Sequence, residues 1–204
     1  LRFCVATAVA GDGTRIAYEV CGREDGEPLV LIQGLGADRR GWLRQRGSLG
    51  RQYRLLLVDN RGVGESDKPE GPYDLGEMAA DVIAAMDDAG WSSAHVMGAS
   101  MGGVISQILG VLHPDRVRSL TLACTACRHL PWRRELLAGW RDLALAGGMH
   151  EFSRNNAKWL VGPRSVRRFW PALNLFGGLA LNVDAHAFAA QVEQHLLAAK
   201  SKDE

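Results

Sequence analysis

The stretch Val96-Met97-Gly98-Ala99-Ser100-Met101-Gly102-Gly103 closes a short apolar run, and the helix-competent segment VISQILGVLH, residues 104–113, follows at once. A strand, a sharp turn carrying serine and an immediate helix form the context in which a G-x-S-x-G segment holds a serine hydroxyl at the edge of a sheet. Such a turn needs backbone angles that a Cβ atom resists, and its strand and helix pass close together, so Gly98 and Gly102 remove the obstructing atoms. A helix beginning at Met101 would aim free N–H groups and a partial positive charge at an oxyanion growing on an acyl group attacked by Ser100. A plain Gly-Ser connection fits the same five residues, and the surrounding chain has to decide between the two.

Upstream, Leu29 to Ile32 is a continuous apolar run of the kind buried on both faces of a parallel sheet, and Tyr53 to Asp59 reads as another buried strand. The first ends in the flexible loop Gln33-Gly34-Leu35-Gly36, the second in DNRGVGES, residues 59–66. Residues 42–49 read as a helix interrupted by Gly47. Asp74 with Glu77 makes a capping-box pattern that opens a helix, and Leu75, Met78, Ala79, Val82, Ile83, Met86 and Ala89 mark its buried face before Gly90 stops it. Residues 94–98 lead into the serine turn, Pro114 ends the helix begun at Met101, and Val117 to Ala123 is a further apolar strand. At the amino end, residues 3–10 and 14–21 read as antiparallel strands around a two-residue Asp12-Gly13 turn. The order predicts an α/β fold with a mostly parallel, doubly wound sheet, an antiparallel N-terminal hairpin and crossover helices on both faces.

After Ala126 the pattern changes: strand signals vanish and helix-length segments follow one another. Residues 127–171 hold four of the six tryptophans and nine Arg or Lys against three Asp or Glu, a net charge of +6. Two units are expected, an α/β core over residues 1–126 and a helical cap with a following helix over residues 127–204. A basic, aromatic, helical segment reads as a lid over a pocket; solvated arginines on a helical surface account equally well for its charge. The last helix is expected from Ala185 to Lys200, ahead of a polar tail.

With 204 residues, 47% of them hydrophobic, the chain can bury one core with an insertion, and its net charge of +1 gives no reason to expect nucleic acid as a partner. No window approaches the roughly 18 consecutive apolar residues of a membrane span, and the start has no basic segment followed by an apolar one, so a cytoplasmic protein without a membrane partner is expected. Cys124 and Cys127 form a lone C-x-x-C with no second pair or histidine cluster to complete a metal site. Given a two-residue turn at Asp12-Gly13, Cys4 and Cys21 face each other across the hairpin, as reduced thiols in a reducing compartment.

In an open parallel sheet the loops after the three buried strands gather at the carboxyl edge, where ligands bind. With QGLG, DNRGVGES and GASMGG brought together there, residues 10–126 resemble the α/β-hydrolase superfamily, in particular its capped serine esterases and lactonases of proline-iminopeptidase-like and enol-lactonase-like type. The resemblance makes Ser100 the nucleophile and the backbone N–H groups of Leu35 and Met101 the oxyanion hole, with Gln33, Gly34, Gly98 and Gly102 in the active-site loops. It makes Asp59, Arg61, Gly62, Gly64 and Ser66 a structural turn beside the site. Gln33 stands where the family usually has histidine, a position that contributes mainly its backbone.

A serine hydroxyl needs a base to take its proton as it attacks. The family places its acid and its histidine after later strands, and no apolar strand followed by G-x-x-D and no late G-H loop occurs between Leu173 and Glu204. The catalytic acid is therefore unassigned, and a C-terminally incomplete fold is expected. Its last strand would expose an unpaired edge, so either a homo-oligomer or a complementary C-terminal segment is expected as a partner. Among the histidines, His95 and His113 read as structural, His150, His186 and His195 fall in the insertion, and His129 is the internal candidate for the base.

The function implied is hydrolysis of a small carboxylic ester or lactone through an acyl-enzyme on Ser100, with no cofactor and no metal. Serine rather than aspartate argues against dehalogenase and epoxide-hydrolase chemistry, while perhydrolysis, C–C hydrolysis and acyl transfer share the same nucleophile. A catalytically silent binding or scaffold protein is the alternative from another class. Nucleotide binding is poorly supported, since neither Gly34-Leu35-Gly36 nor Gly62-Val63-Gly64 completes a G-x-G-x-x-G pattern.

Overall fold

The computed structural model describes residues 5–128, 130–160, 164, 165, 168 and 183–200. Its strands are β1 (Val5–Val9), β2 (Arg15–Gly22), β3 (Glu27–Ile32), β4 (Tyr53–Val58), β5 (Ala94–Ala99) and β6 (Val117–Ala123). Its helices are α1 (Leu43–Leu49), α2 (Leu75–Asp88), α3 (Met101–Leu112), α4 (Pro131–Leu160) and α5 (Ala185–Lys200). The six strands lie in the order β1-β2-β4-β3-β5-β6. β1/β2 and β2/β4 pair antiparallel; β4/β3, β3/β5 and β5/β6 pair parallel.

Alternating side chains of the apolar runs feed two cores, because successive residues of a strand point to opposite faces. Val30, Ile32, Leu56 and Val58 meet Met78, Val82, Ile105 and Leu109 of α2 and α3 on one face. Leu29, Leu31, Leu55 and Leu57 meet Trp42 and Leu49 on the other, beside α1. The helix expected over residues 42–49 forms as a short 3-10 turn, Arg39–Trp42, running into α1, with the Asp38 carboxylate accepting from Arg40 N–H at 3.0 Å. At α2 the Asp74 carboxylate caps Gly76 and Glu77 N–H, as its position predicts.

The hairpin departs from expectation by one residue. Val5 lies opposite Glu19 and Val9 opposite Arg15. The turn is a three-residue loop rather than the two-residue one expected at Asp12-Gly13, because Ala10 and Thr14 close it by backbone hydrogen bonding at 2.9 Å. Gly13 takes φ +87, and Asp12 Oδ1 accepts from Thr14 N–H at 2.9 Å, so the Asp-Gly pair supplies the second and third loop positions. A register shift of one residue exchanges the faces of a strand, which removes the geometric basis for facing Cys4 with Cys21. Cys4 lies outside the described residues; Cys21 is a free thiol opposite Leu55, and its burial pushes the thiol pKa up.

β6 forms the far edge of the sheet, with Leu120 38% and Leu122 44% exposed. Beyond it α4 is interrupted at Gly148, whose φ +73 and ψ 176 break the helical path. α4 and α5 pack on each other through Phe152 and Phe188, ring centroids 4.6 Å apart. The same apolar cluster takes in Val63 and Leu35 from the carboxyl-edge loops, so the two helices sit against those loops. Among the described residues, no helix is long and apolar enough to cross a membrane.

Candidate active site

Ser100 sits between β5 and α3 with φ +54 and ψ −117, a conformation an L-residue adopts only when its surroundings impose it. Those surroundings are visible. Ser100 N–H donates to the Ala123 carbonyl of β6 at 2.9 Å. The Ser100 carbonyl accepts from Gly103 N–H at 3.0 Å, from Val104 N–H at 3.3 Å and from the Thr125 hydroxyl at 2.7 Å. The turn is thereby clamped from the helix and from the neighbouring strand end.

Close packing explains the flanking glycines. A Cβ on Gly102 would lie 2.2 Å from the Ile32 carbonyl oxygen, and one on Gly98 would lie 2.2 Å from the Gly102 carbonyl oxygen. α3 can start where it does only because both positions lack side chains. Gly34 brings the loop after β3 to Ser100: a Cβ there would be 3.0 Å from Ser100 Cβ and 3.5 Å from its Oγ. QGLG and GASMGG thus meet, as their shared place at the carboxyl edge predicts.

Among the described residues, the Ser100 hydroxyl and the N–H groups of Leu35 and Met101 have no protein partner. A hydroxyl, an adjacent loop N–H and a helix-start N–H are left available at one edge of the sheet. Gln33 turns its amide oxygen back to Gly34 N–H at 3.0 Å, and its carbonyl accepts from Asn60 Nδ2 at 3.0 Å.

The DNRGVGES segment braces this edge. Asp59 is fully buried; its carboxylate accepts from the N–H groups of Arg39, at 2.7 Å, and Glu65, at 2.9 Å, and pairs with the Arg39 guanidinium. Burial pushes the Asp59 carboxyl up against the pull of those donors. Arg61 grips both oxygens of buried Asp81 at 2.7 Å and reaches Asp12 at 3.1 Å and Glu77 at 3.0 Å. Burial lowers the Arg61 pKa and the Asp81 contact more than offsets it, so the guanidinium is held above its ordinary value. These residues tie the loop to α2 and the hairpin; their charges are spent on one another.

Among the described residues no histidine is hydrogen-bonded to the Ser100 hydroxyl. His95 on β5 shares a 2.7 Å hydrogen bond with Ser119 and meets Tyr53 edge-on, and His150 and His186 are exposed. His129 lies outside the described residues. Cys124 and Cys127 are exposed free thiols.

Three contributors escaped the motif reading. Asn60 and Thr125 hold the backbone of Gln33 and Ser100. Gln191 of α5, 1% exposed, bonds the loops after both β3 and β4. Asn60 at least stands inside a recognisable segment, whereas nothing in the spacing around Thr125 or Gln191 marks either residue.

With strand order, elbow and loops in place, residues 27–148 match the model of the alpha/beta hydrolase fold. The chain belongs to that family. A protein of Azorhizobium caulinodans named as a carbamate hydrolase, RutD, is 32% identical over 156 residues, which is 76% of this chain and 58% of that protein. The 3-oxoadipate enol-lactonase 1 of Acinetobacter baylyi is 33% identical over 134 residues, 66% of this chain and 48% of that one. The crystal structure of the enol-lactonase from Burkholderia xenovorans LB400 superposes with a TM-score of 0.84 at 27% identity, covering 94% of this chain and 73% of that one. This alpha/beta hydrolase chain thus spans about half to three-fifths of the length of these curated relatives.

Proposed function

We propose that this alpha/beta hydrolase acts on a small carboxylic ester or lactone, with Ser100 as nucleophile. The observation that carries the reading is the Ser100 turn itself: a left-handed serine at φ +54 whose hydroxyl, like the flanking N–H groups of Leu35 and Met101, has no partner among the described residues. Ser100 Oγ attacks the acyl carbon while its proton passes to a base, and the carbonyl oxygen becomes an oxyanion held by the Leu35 and Met101 N–H groups. Collapse expels the alcohol, and water releases the acid from the acyl-enzyme by the same steps. Each oxyanion donor contributes on the order of 10²–10³ in rate in comparable sites. His129 is the candidate base within this sequence. α4 and α5 act as a lid that bounds the acyl pocket. The names of the carbamate hydrolase and enol-lactonase relatives support an acyl substrate of low mass.

A fluorophosphonate probe and a short-chain nitrophenyl ester, applied to the chain and to Ser100→Ala, test this. Labelling and turnover that vanish in Ser100→Ala are expected, with His129→Ala slowing both. Labelling that persists without Ser100, or is absent with it, would sink the reading. A second reading, a silent scaffold retaining the fold, is favoured by one observation: among the described residues no histidine bonds the Ser100 hydroxyl.

A further inference from the structure

Gln191 is a primary amide sealed between α5 and the carboxyl-edge loops, 1% exposed. A buried amide needs partners at both ends, since an unmet donor or acceptor there is costly. Its Oε1 accepts from Gly36 N–H at 3.0 Å, and its Nε2 donates to the Arg61 carbonyl at 2.9 Å. One side chain therefore bridges the loop after β3 to the loop after β4, and the two bonds fix which end of the amide is oxygen. The anchor at Arg61 is firm, because that residue is locked to Asp81.

The other end of the bridge is next to the chemistry. Gly36 directly follows Leu35 and takes φ +69, and a Cβ on it would fall 2.9 Å from the Phe188 ring of α5. α5 thus holds this peptide in two ways, by a hydrogen bond from Gln191 and by a packing surface from Phe188. The orientation of the Leu35–Gly36 peptide in turn limits where the Leu35 N–H can point.

We propose that Gln191 is a positioning residue for the oxyanion loop: by bonding Gly36 it sets the Leu35 backbone from the lid helix, so that docking of α5 and competence of the oxyanion hole are one event. This rests on the reading of Ser100 as nucleophile and Leu35 N–H as an oxyanion donor. Displacement of α5 would release Gly36 N–H and let the loop relax while Ser100, clamped by β6 and α3, stayed in place.

The test tracks amide hydrogen exchange at Gly36 and the amide chemical shift of Leu35 by NMR, together with the rate of Ser100 labelling by a fluorophosphonate, in the 204-residue chain and its Gln191 variants. Gln191→Leu is expected to speed Gly36 exchange and to slow labelling, each by about tenfold. Gln191→Glu keeps an acceptor for Gly36 and, when protonated, a donor for the Arg61 carbonyl, so Gly36 protection is expected to persist in mild acid and to fall as the buried carboxyl ionises against that carbonyl. Should Gln191→Leu fail to fold, Gln191→Asn, one methylene too short to span both loops, is held to the same expectation. Unchanged Gly36 exchange in the leucine or asparagine variant overturns the proposal, as does an unchanged labelling rate with Gly36 deprotected. Failure of the nucleophile reading shows differently, as an unlabelled wild type; exchange at Gly36 and the amide chemical shift of Leu35 then decide alone, and protection lost at Gly36 without any change in the Leu35 shift overturns the proposal.

Discussion

The Thr125 hydroxyl donates to the Ser100 carbonyl at 2.7 Å, so the chain leaving β6 clasps the strained turn made by β5 and α3. Its side chain also fills the space over Gly103, where a Cβ would come within 2.6 Å of Thr125 Cβ. Thr125→Val keeps the shape and removes the donor. The Ser100 carbonyl retains Gly103 and Val104 N–H as donors, so the cost is expected to be about 1 kcal/mol. Urea denaturation measures that loss, and a slower fluorophosphonate reaction at Ser100 would register the relaxed turn.

Glycine substitutions should split by position. Gly102→Ala forces a Cβ to within 2.2 Å of the Ile32 carbonyl oxygen, a backbone atom that cannot move aside. A loss of about 3 kcal/mol or more is expected, with Ser100 labelling abolished. Gly47 in α1 has nothing within 4 Å of its would-be Cβ. Gly47→Ala is expected to stabilise by about 0.5–1 kcal/mol through helix propensity. Thermal melts of both variants check the contrast.

The ion pairs should divide by burial. Asp81→Asn breaks a bidentate pair whose side chains are 4% and 2% exposed, and a cost of about 3 kcal/mol is expected. Asp67, paired with Arg15 near the surface, should cost under about 1 kcal/mol when changed to Asn at neutral pH. Hydrogen bonds from the Arg15 guanidinium and N–H hold the Asp67 carboxyl below its ordinary value. Its contribution is therefore complete above the unfolded-state pKa of about 3.9 and lost as pH falls through the lower folded value. Wild type and Asp67→Asn should converge in stability in acid, and a gap that widens there would contradict the assignment.

At the far edge of the sheet, Leu120 and Leu122 stand on one face of β6, and Val111 and Leu112 at the end of α3 are 77% and 60% exposed. An unpaired edge with an apolar face favours association. The 204-residue chain is expected to self-associate with concentration in sedimentation velocity, and Leu122→Glu to suppress that association. A wild-type chain that stays monomeric as concentration rises would count against the expectation.

Much of this molecule is local information. Leu29–Ile32 and Leu55–Val58 are apolar without interruption, Asp74 caps the helix that begins at Leu75, and Gly98 and Gly102 frame Ser100; each signal lies within a few neighbouring residues. Family membership and the elbow could be read because strand, turn and helix leave period and punctuation in the chain. Strand order brought the loops to one edge of the sheet, but the individual hydrogen bonds between distant residues were beyond its reach. The hairpin register turned on a single loop residue, which neither strand's pattern encodes. Thr125 on the Ser100 carbonyl, Arg61 on Asp81 and Gln191 between Gly36 and Arg61 join positions up to 155 residues apart. A buried hydrogen bond of that kind has no periodicity, since its partners are chosen by where packing brings two backbones together. Ser100 was thus named by its neighbours in sequence, and its conformation was decided by neighbours in space.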